Sequence, residues 1–546
     1  MIELAPTRTW RLRDFKQGLS EPEESLRDRA AAAVGVGVDD LRGFRIARRA
    51  LDARRRRGRL CFICHIDLVL DVHCRTAALA VLERSGRVAA APVPGRLVLE
   101  GVAVERRSRR AVVVGSGPAG TFAALVLALN GLRPILIERG AQLETRTRSL
   151  VRFRRGGSLD PENNLLFGEG GAGTYSDGKL YTRVEDALEV PLLEELVACG
   201  APPEILFDSR AHIGTDRLHR LLPRLRARLE QAGVAFSWDT RLEGLITDEG
   251  PTRTLRAVRT SRGELPCDVL VLAIGHSARD TWTRLAAEGV PFLAKPFQFG
   301  VRVEHPQALV TRGRYGDGPE AALLGPASYN LVCRGGVDGP EAHSFCMCPG
   351  GRVVASVSEE GMLCTNGMSN STHSSRWANA AVVTTLVPND YAPHGAGPFA
   401  GVAFQRHYER EFFDAGGANY AAPAQRVPDF LAGRRSAGEL LTSYTFGVVP
   451  GRIDALLPER VRDALRRALG RFDRQIPGFA GQEGILVGVE SRSSGPVRIP
   501  RDRDTFVAEG WCNLYPAGEG AGYAGGIMSA ALDGAHCAQA WLRSES

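Results

Sequence analysis

AVVVGSGPAGTFAALVLALNGLRPILIER, residues 111–139, is the stretch whose reading decides the fold. A short apolar run meets a glycine turn, a long apolar helix follows, and a second apolar run ends at Glu138 and Arg139. Gly115, Gly117 and Gly120 form G-x-G-x-x-G between strand and helix, the context in which this spacing carries meaning. The first glycine permits the tight turn, the second lets backbone approach a pyrophosphate, and the third lets helix and strand pack closely. Pro118 and Ala119 open the helix, whose positive end faces the phosphates. Glu138 stands 18 residues past Gly120, where a carboxylate accepts hydrogen bonds from adenosine ribose hydroxyls and disfavours a 2'-phosphate. The unit therefore reads as a binder of FAD or NAD rather than NADP.

Working outward, the chain has 546 residues, 44% hydrophobic and 24% charged, near globular averages and long enough for three or four domains. No N-terminal segment has the form of a secretory signal, and the apolar run 111–137 is cut by glycines and a proline, which sets a membrane span aside. A cytoplasmic protein is expected. Eleven cysteines, an odd number, fit reduced thiols better than disulfides. Cys61 and Cys64, with His65, His73 and Cys74 nearby, have metal-ligand spacing but read more simply as a strand with buried thiols. Cys346 and Cys348 read as same-face strand residues, with a redox pair as the alternative. Residues 1–110 hold 23 Lys and Arg against 14 Asp and Glu, concentrated in the run 48–60. A solvated loop is the first reading of that run and a nucleic-acid grip the second, disfavoured by the lack of interleaved aromatics. Only Lys16, Lys179 and Lys295 are lysines, and two of them fall in motif-like stretches.

Patterning divides the chain into three parts. Residues 1–105 form a basic α+β module: a helix over 21–34, strands over 44–49 and 60–72, and a helix over 76–83. Residues 106–290 and 476–546 form a discontinuous cofactor-binding α/β domain, with an amphipathic helix over 216–233 and strands near 235–238 and 268–274. Residues 291–475, with fewer helical periods and many glycine clusters, form an inserted β-rich domain. Two further glycine-rich stretches stand out, FGEGGAGTYSDGKL (167–180) and YPAGEGAGYAGGIMSAALDG (515–534).

These motifs, with VLVLAIGHSARD (269–280), KPFQFGVRVEHPQ (295–307), FCMCPGGRVV (345–354), TNGMS (365–369), GANYAAPAQRVPDFL (417–431) and SRSSGPVRI (491–499), resemble the bacterial FAD-dependent dehydrogenases, or NAD(P)/FAD-dependent oxidoreductases. The resemblance extends from the basic module to the C-terminal helix. It implies an α/β fold, a Rossmann-like FAD domain of the glutathione-reductase type, and an inserted substrate or cap domain over the flavin. It also implies that Glu519 meets the ribityl chain and that Gly518, Gly525, Gly526 and Ile527 bring a helix N-terminus to the flavin edge. Gly275 would end a strand beside the cofactor, and Gly168, Gly170, Gly171, Gly173 and Thr174 would line its other wall. The chain departs from the family pattern at Ser491, Gly495, Ser328, Asn330 and after TNGMS, which suggests altered substrate recognition.

The expected activity is hydride transfer between flavin N5 and a small organic substrate, with flavin monooxygenase or oxidase chemistry as an alternative and a nucleic-acid-linked flavoprotein as another. No C-x4-C follows the first fingerprint and no second G-x-G-x-x-G follows a strand, so NAD(P)H is expected at most as a transient donor. Tyr175, Asp177, Lys179, His276 and Tyr523 are the acid–base candidates, with no metal. The expected partner is a small molecule, neither membrane nor nucleic acid, and the oligomeric state is left open.

Overall fold

In the computed structural model, which describes residues 6–53, 60–180, 185–248, 250, 252–335 and 341–544, the stretch 111–139 forms the centre of a five-stranded parallel sheet. Its strand order is Leu514–Pro516, Val269–Leu272, Ala111–Val114, Ile135–Ile137, Ala235–Ser237. All four residues of Ala111–Val114 are buried because both sheet faces are covered, as parallel sheets require. Ala111 and Val113 face a core shared with the helices Pro118–Leu129, Thr215–Ala232 and Ile527–Arg543. Val112 and Val114 face the opposite core, shared with the antiparallel strands Leu242–Asp248 and Thr254–Thr260. The fold is mixed α/β.

A second, seven-stranded sheet has the order Val332–Cys333, Ala342–Cys348, Trp377–Leu386, Phe297–Pro306, Ile485–Glu490, Ala422–Arg426, Val448–Pro450. Two helices, Ala400–Ala415 and Glu459–Asp473, bury Phe404, Phe412, Leu465 and Phe472 in its core. Ile485–Glu490 differs from the expectation that the inserted region ends at 475. It pairs antiparallel with both Phe297–Pro306 and Ala422–Arg426, so its hydrogen bonds belong to the large sheet.

The N-terminal module has the element order βαββαβ, with strands Thr7–Gly18, Gly43–Asp52, Cys61–Asp71 and Val88–Ala90 and helices Glu23–Val34 and Ala77–Arg84. The sheet order, second–third–first–fourth, is that of the ferredoxin-like arrangement. Thr7–Gly18 and Val88–Ala90 are strands the sequence pattern did not predict. In the former, a bulge between Leu12 and Phe15, with Asp14 at φ 52, shifts the buried set from Trp10 and Leu12 to Phe15 and Gln17. The period-two signal is thereby broken. The module docks through Arg49, which exchanges backbone hydrogen bonds with Phe207 and Ser209. Cys64 is buried, its thiol 3.5 Å from the Gln17 side-chain oxygen. Among the described residues no group of three His, Cys, Asp or Glu is placed to hold a metal. Residues 54–59 of the basic run lie outside the described residues. Among the described residues no helix is long and apolar enough to cross a membrane.

Candidate functional site

Three neighbouring strands of the parallel sheet run at their carboxyl ends into glycines in the left-handed region. Ala111–Val114 meets Gly115 (φ 101), Val269–Leu272 reaches Gly275 (φ 73) and Leu514–Pro516 reaches Gly518 (φ 72). Between these turns and the seven-stranded sheet lies a cavity of about 280 Å³. A β-carbon at Gly115 would collide with the Ala273 carbonyl, so the turn tolerates no side chain there. Gly117 differs. It caps the Pro118–Leu129 helix in ordinary extended geometry (φ −69, ψ 177), and a β-carbon there would meet nothing within 4 Å. That open space is the cavity, walled here by Gly117, Pro118 and Ala119. Gly120 lies one layer behind, against the Gly115 carbonyl.

Glu138 is buried, and its four acceptor positions are used by the protein. Oε2 accepts from the Ser116 amide (2.8 Å) and hydroxyl (2.9 Å), while Oε1 accepts from the Gly140 and Gly168 amides (both 3.0 Å). The carboxylate thus ties the fingerprint turn to the second glycine stretch while remaining on the cavity wall. Arg139 is clamped by Glu162 and Asp280 and lies over the Phe167 ring at 4.2 Å.

The 167–180 stretch is organised by a residue that sequence reasoning missed. Arg146, on the Leu143–Arg154 helix, is fully buried and donates to the carbonyls of Asn164 (2.8 Å), Gly168 (3.2 Å), Glu169 (2.6 Å) and Gly171 (2.8 Å) and to Thr174 Oγ1 (3.1 Å). Burial pulls its guanidinium down to about 10, still charged at neutral pH. Arg146 thereby satisfies carbonyls that a glycine-rich loop leaves without a ladder partner. Its helix, LETRTRSLVRFR, carries four arginines, and nothing in their spacing marks this one as the inward-facing member. Gly171 and Gly173 reach the cavity wall, whereas Gly168, Gly170 and Thr174 lie behind it.

At the far side, half-buried Glu519 sits among Gly525, Lys295 and Gly495. Burial raises its carboxyl, against the Gly495 amide that donates to it at 2.9 Å and the nearby Lys295. Gly526 caps the Ile527–Arg543 helix, so a second helix N-terminus reaches the same cavity. The two helices pack together where Gly534 faces the Ala119 carbonyl, leaving no room for a side chain.

The large sheet supplies the roof. Arg302, fully buried, is bidentate to Glu490 (2.8 and 3.0 Å) and donates to Asn366, Asn379 and the Cys346 carbonyl. Arg492 and Arg279 share buried Glu409, with Ser491 Oγ donating to it at 2.6 Å. None of these charged pairs was nominated from sequence. Arg302 and Glu490 are charged residues inside otherwise apolar strands, a pattern that could have flagged them, whereas Arg279, Glu409 and Arg492 lie in polar stretches that give no such signal.

Of the acid–base candidates, Asp177, Lys179 and His276 stand on the cavity wall. Lys179 Nζ pairs with Asp177 at 2.7 Å and donates to the Met347 carbonyl. Against the effect of burial, Lys179, His373 and Ser369 hold the Asp177 carboxyl well below the usual range. His276, bonded through Nδ1 to Ser277 Oγ at 2.8 Å, is driven down to about 4 by burial and by Arg492 and Arg279, hence neutral at pH 7. Tyr175 and Tyr523 are corrections. Tyr175 points into an apolar cluster with Leu143 and Leu150, its hydroxyl on Thr147 Oγ1 at 2.7 Å. Tyr523 donates to the Ile499 carbonyl (3.1 Å) beneath the Arg501 guanidinium, and neither tyrosine lines the cavity.

Residues 109–156 match the family described as "FAD binding domain" and residues 296–493 that described as "FAD-dependent protein, C-terminal domain-like". Residues 13–69 match a domain of unknown function. An uncharacterized protein of Clostridium beijerinckii is 38% identical over 531 residues, spanning 97% of this chain and 98% of that one. The chain belongs to the same family as that protein, a family of FAD-dependent proteins. Solved structures similar to this flavoprotein include the L-proline dehydrogenase of P. horikoshii (11% identity, 80% of this chain and 94% of that one, TM-score 0.33). Another is NikD, an amino acid oxidase of nikkomycin biosynthesis (13% identity, 80% and 95%, TM-score 0.34). The second family match ends at 493, just past Ile485–Glu490.

Proposed function

We propose that the cavity holds one FAD and that the protein transfers hydride between flavin N5 and a small organic substrate. The observation that carries this reading is the convergence of three strand-end glycines and two helix N-termini on one cavity. The residues suit the group: Gly117 leaves open space at a helix N-terminus for a pyrophosphate, and Glu519 on the cavity wall offers a carboxyl to polyol hydroxyls. In this reading the fold is of the glutathione-reductase type, the Ile527 helix N-terminus opposes negative charge at the reduced ring, and residues from about 291 to 493 form the inserted domain. When bound, FAD supplies two-electron hydride chemistry.

The chain's own residues orient the substrate and manage protons. Phe345, Asn366 and Ser493 form the roof against which the substrate is oriented. Asp177 stays ionised beside Lys179 and fixes a local negative charge without itself giving up a proton. His276, neutral at pH 7, takes up the proton that a substrate loses together with its hydride. NADH or NADPH enters this scheme only as a transient donor. The test is anaerobic mixing of the FAD-loaded protein with NADH, NADPH and panels of amino, hydroxy and unsaturated acids, followed by flavin absorbance. Bleaching by an organic acid but by neither nicotinamide supports substrate oxidation, whereas bleaching by a nicotinamide alone reverses the direction assigned.

A further inference from the structure

FCMCPGG (345–351) forms the end of the strand Ala342–Cys348 and the turn beyond it. The ladder to Trp377–Leu386 slips here: Phe345 is opposite Ala381 but Cys348 is opposite Asn379, so one extra residue is inserted. Cys346 adopts φ 44, a left-handed conformation uncommon for a side chain with a β-carbon. This bulge changes the ordinary outcome of a two-residue separation. Cys346 stands on the cavity wall, and Cys348 is fully buried behind it, its thiol donating to the Cys346 carbonyl at 3.4 Å.

Two cations hold the bulge in place. Lys179 donates to the Met347 carbonyl, reaching across from the glycine stretch, and Arg302 donates to the Cys346 carbonyl at 3.1 Å. The adjacent Cys348 side chain, with Lys179 and Arg302 nearby, favours the Cys346 thiolate against the effect of burial. The same coupling, together with burial, drives the Cys348 thiol upward. One sulfur is thus set up as nucleophile and its neighbour as proton holder, the division of labour that thiol–disulfide chemistry uses. A purely packing role accounts for one buried and one half-buried cysteine. It gives no reason for left-handed backbone at a cavity-wall cysteine, or for two cations, buried Arg302 and half-buried Lys179, fastened to the carbonyls of that turn.

We propose that Cys346 and Cys348 form a dithiol–disulfide pair that exchanges two electrons with the flavin of this cavity, Cys346 being the sulfur that faces it. The proposal rests on the reading that the cavity holds FAD. In the oxidising direction the two S–H bonds break and one Sγ–Sγ bond forms, while FAD takes up the two electrons and two protons as FADH2. The reverse direction returns both thiols. This arrangement differs from a relay built on a C-x4-C after the dinucleotide fingerprint, because the sulfurs come from the roof sheet. It also gives Lys179 a role: joining the cofactor-facing loop to the sulfur-bearing turn.

The test uses the full chain loaded with FAD, oxidised with diamide and freed of excess, then titrated anaerobically with dithionite. The wild type is expected to consume twice the reductant per flavin that C346S consumes. A long-wavelength thiolate–flavin absorbance is expected at the halfway point and lost in C346S. Peptide mapping of the diamide-treated wild type should recover a Cys346–Cys348 disulfide, a readout that needs no variant. Equal reductant uptake in FAD-loaded wild type and C346S, or absence of that disulfide, overturns the pair and leaves the FAD reading intact. A wild-type chain that binds no FAD overturns both.

Discussion

Replacing Gly117 by alanine separates cofactor binding from folding. In the apo-protein the new methyl meets no atom within 4 Å, and the backbone at φ −69, ψ 177 suits any residue. The loss of a favourable helix-cap glycine and the gain from a less flexible unfolded chain nearly offset each other, leaving a stability change within about 1 kcal/mol. With FAD present the methyl occupies the space a pyrophosphate needs at the helix N-terminus. Losing two hydrogen bonds to a charged phosphate, at roughly 1.5–3 kcal/mol each, removes about 3–6 kcal/mol of binding. At 1.4 kcal/mol per decade the dissociation constant rises roughly 10²- to 10⁴-fold. Thermal unfolding of both apo-proteins and FAD titration followed by quenching of flavin fluorescence measure the two quantities. Unchanged FAD affinity in a folded G117A would show that no pyrophosphate sits at this turn. Gly120→Ala is the control of opposite sign: its β-carbon collides with the Gly115 backbone, so folding itself is damaged.

Four further outcomes are expected. Arg146→Met leaves buried carbonyls of Gly168, Glu169 and Gly171 without that donor and should cost about 3–5 kcal/mol, read as a lower urea midpoint. Glu138→Gln turns one fully accepting oxygen into a donor facing protein donors and should cost about 2–3 kcal/mol by the same measurement. His276 has a folded-state pKa near 4, below the ordinary 6.5, so the unfolded chain binds more protons between those values and stability falls as pH falls through that window. His276→Gln should flatten that limb by up to ~3 kcal/mol in apo-protein unfolding curves, and slow flavin reduction by on the order of 10²-fold at pH 7. Tyr175→Phe and Tyr523→Phe should each cost about 1 kcal/mol of stability and leave FAD affinity and reduction rate within about twofold, since neither ring lines the cavity.

The fingerprint turn was legible because local chemistry dictates it: a strand, three glycines and a proline-led helix leave few alternatives. The glycines that end the neighbouring strands, Gly275 and Gly518, were expected through the family resemblance of their motifs. Glu138 was nominated as an acceptor for ribose hydroxyls, whereas its four protein-donated hydrogen bonds, one of them from Gly168 30 residues away, are encoded by no local pattern. Arg146 was hidden among the arginines of its helix, since which of them turns inward is decided by carbonyls on a different segment. The strand Ile485–Glu490 was assigned to the wrong side of a boundary because six buried apolar-rich residues suit either sheet, and only pairing distinguishes them. Thr7–Gly18 was missed because its bulge breaks the alternation that identifies a strand. The tyrosines misled for the converse reason: proximity in sequence to a glycine motif did not place Tyr175 or Tyr523 on its open side.

The central claim is that one cavity, built where three strand ends and two helix N-termini converge, holds one flavin. Its most direct test is reconstitution of the full chain with excess FAD, gel filtration and determination of flavin per chain from absorbance. The account predicts one FAD retained per chain in the wild type and loss of retention in G117A; a folded wild-type chain that emerges colourless would contradict it.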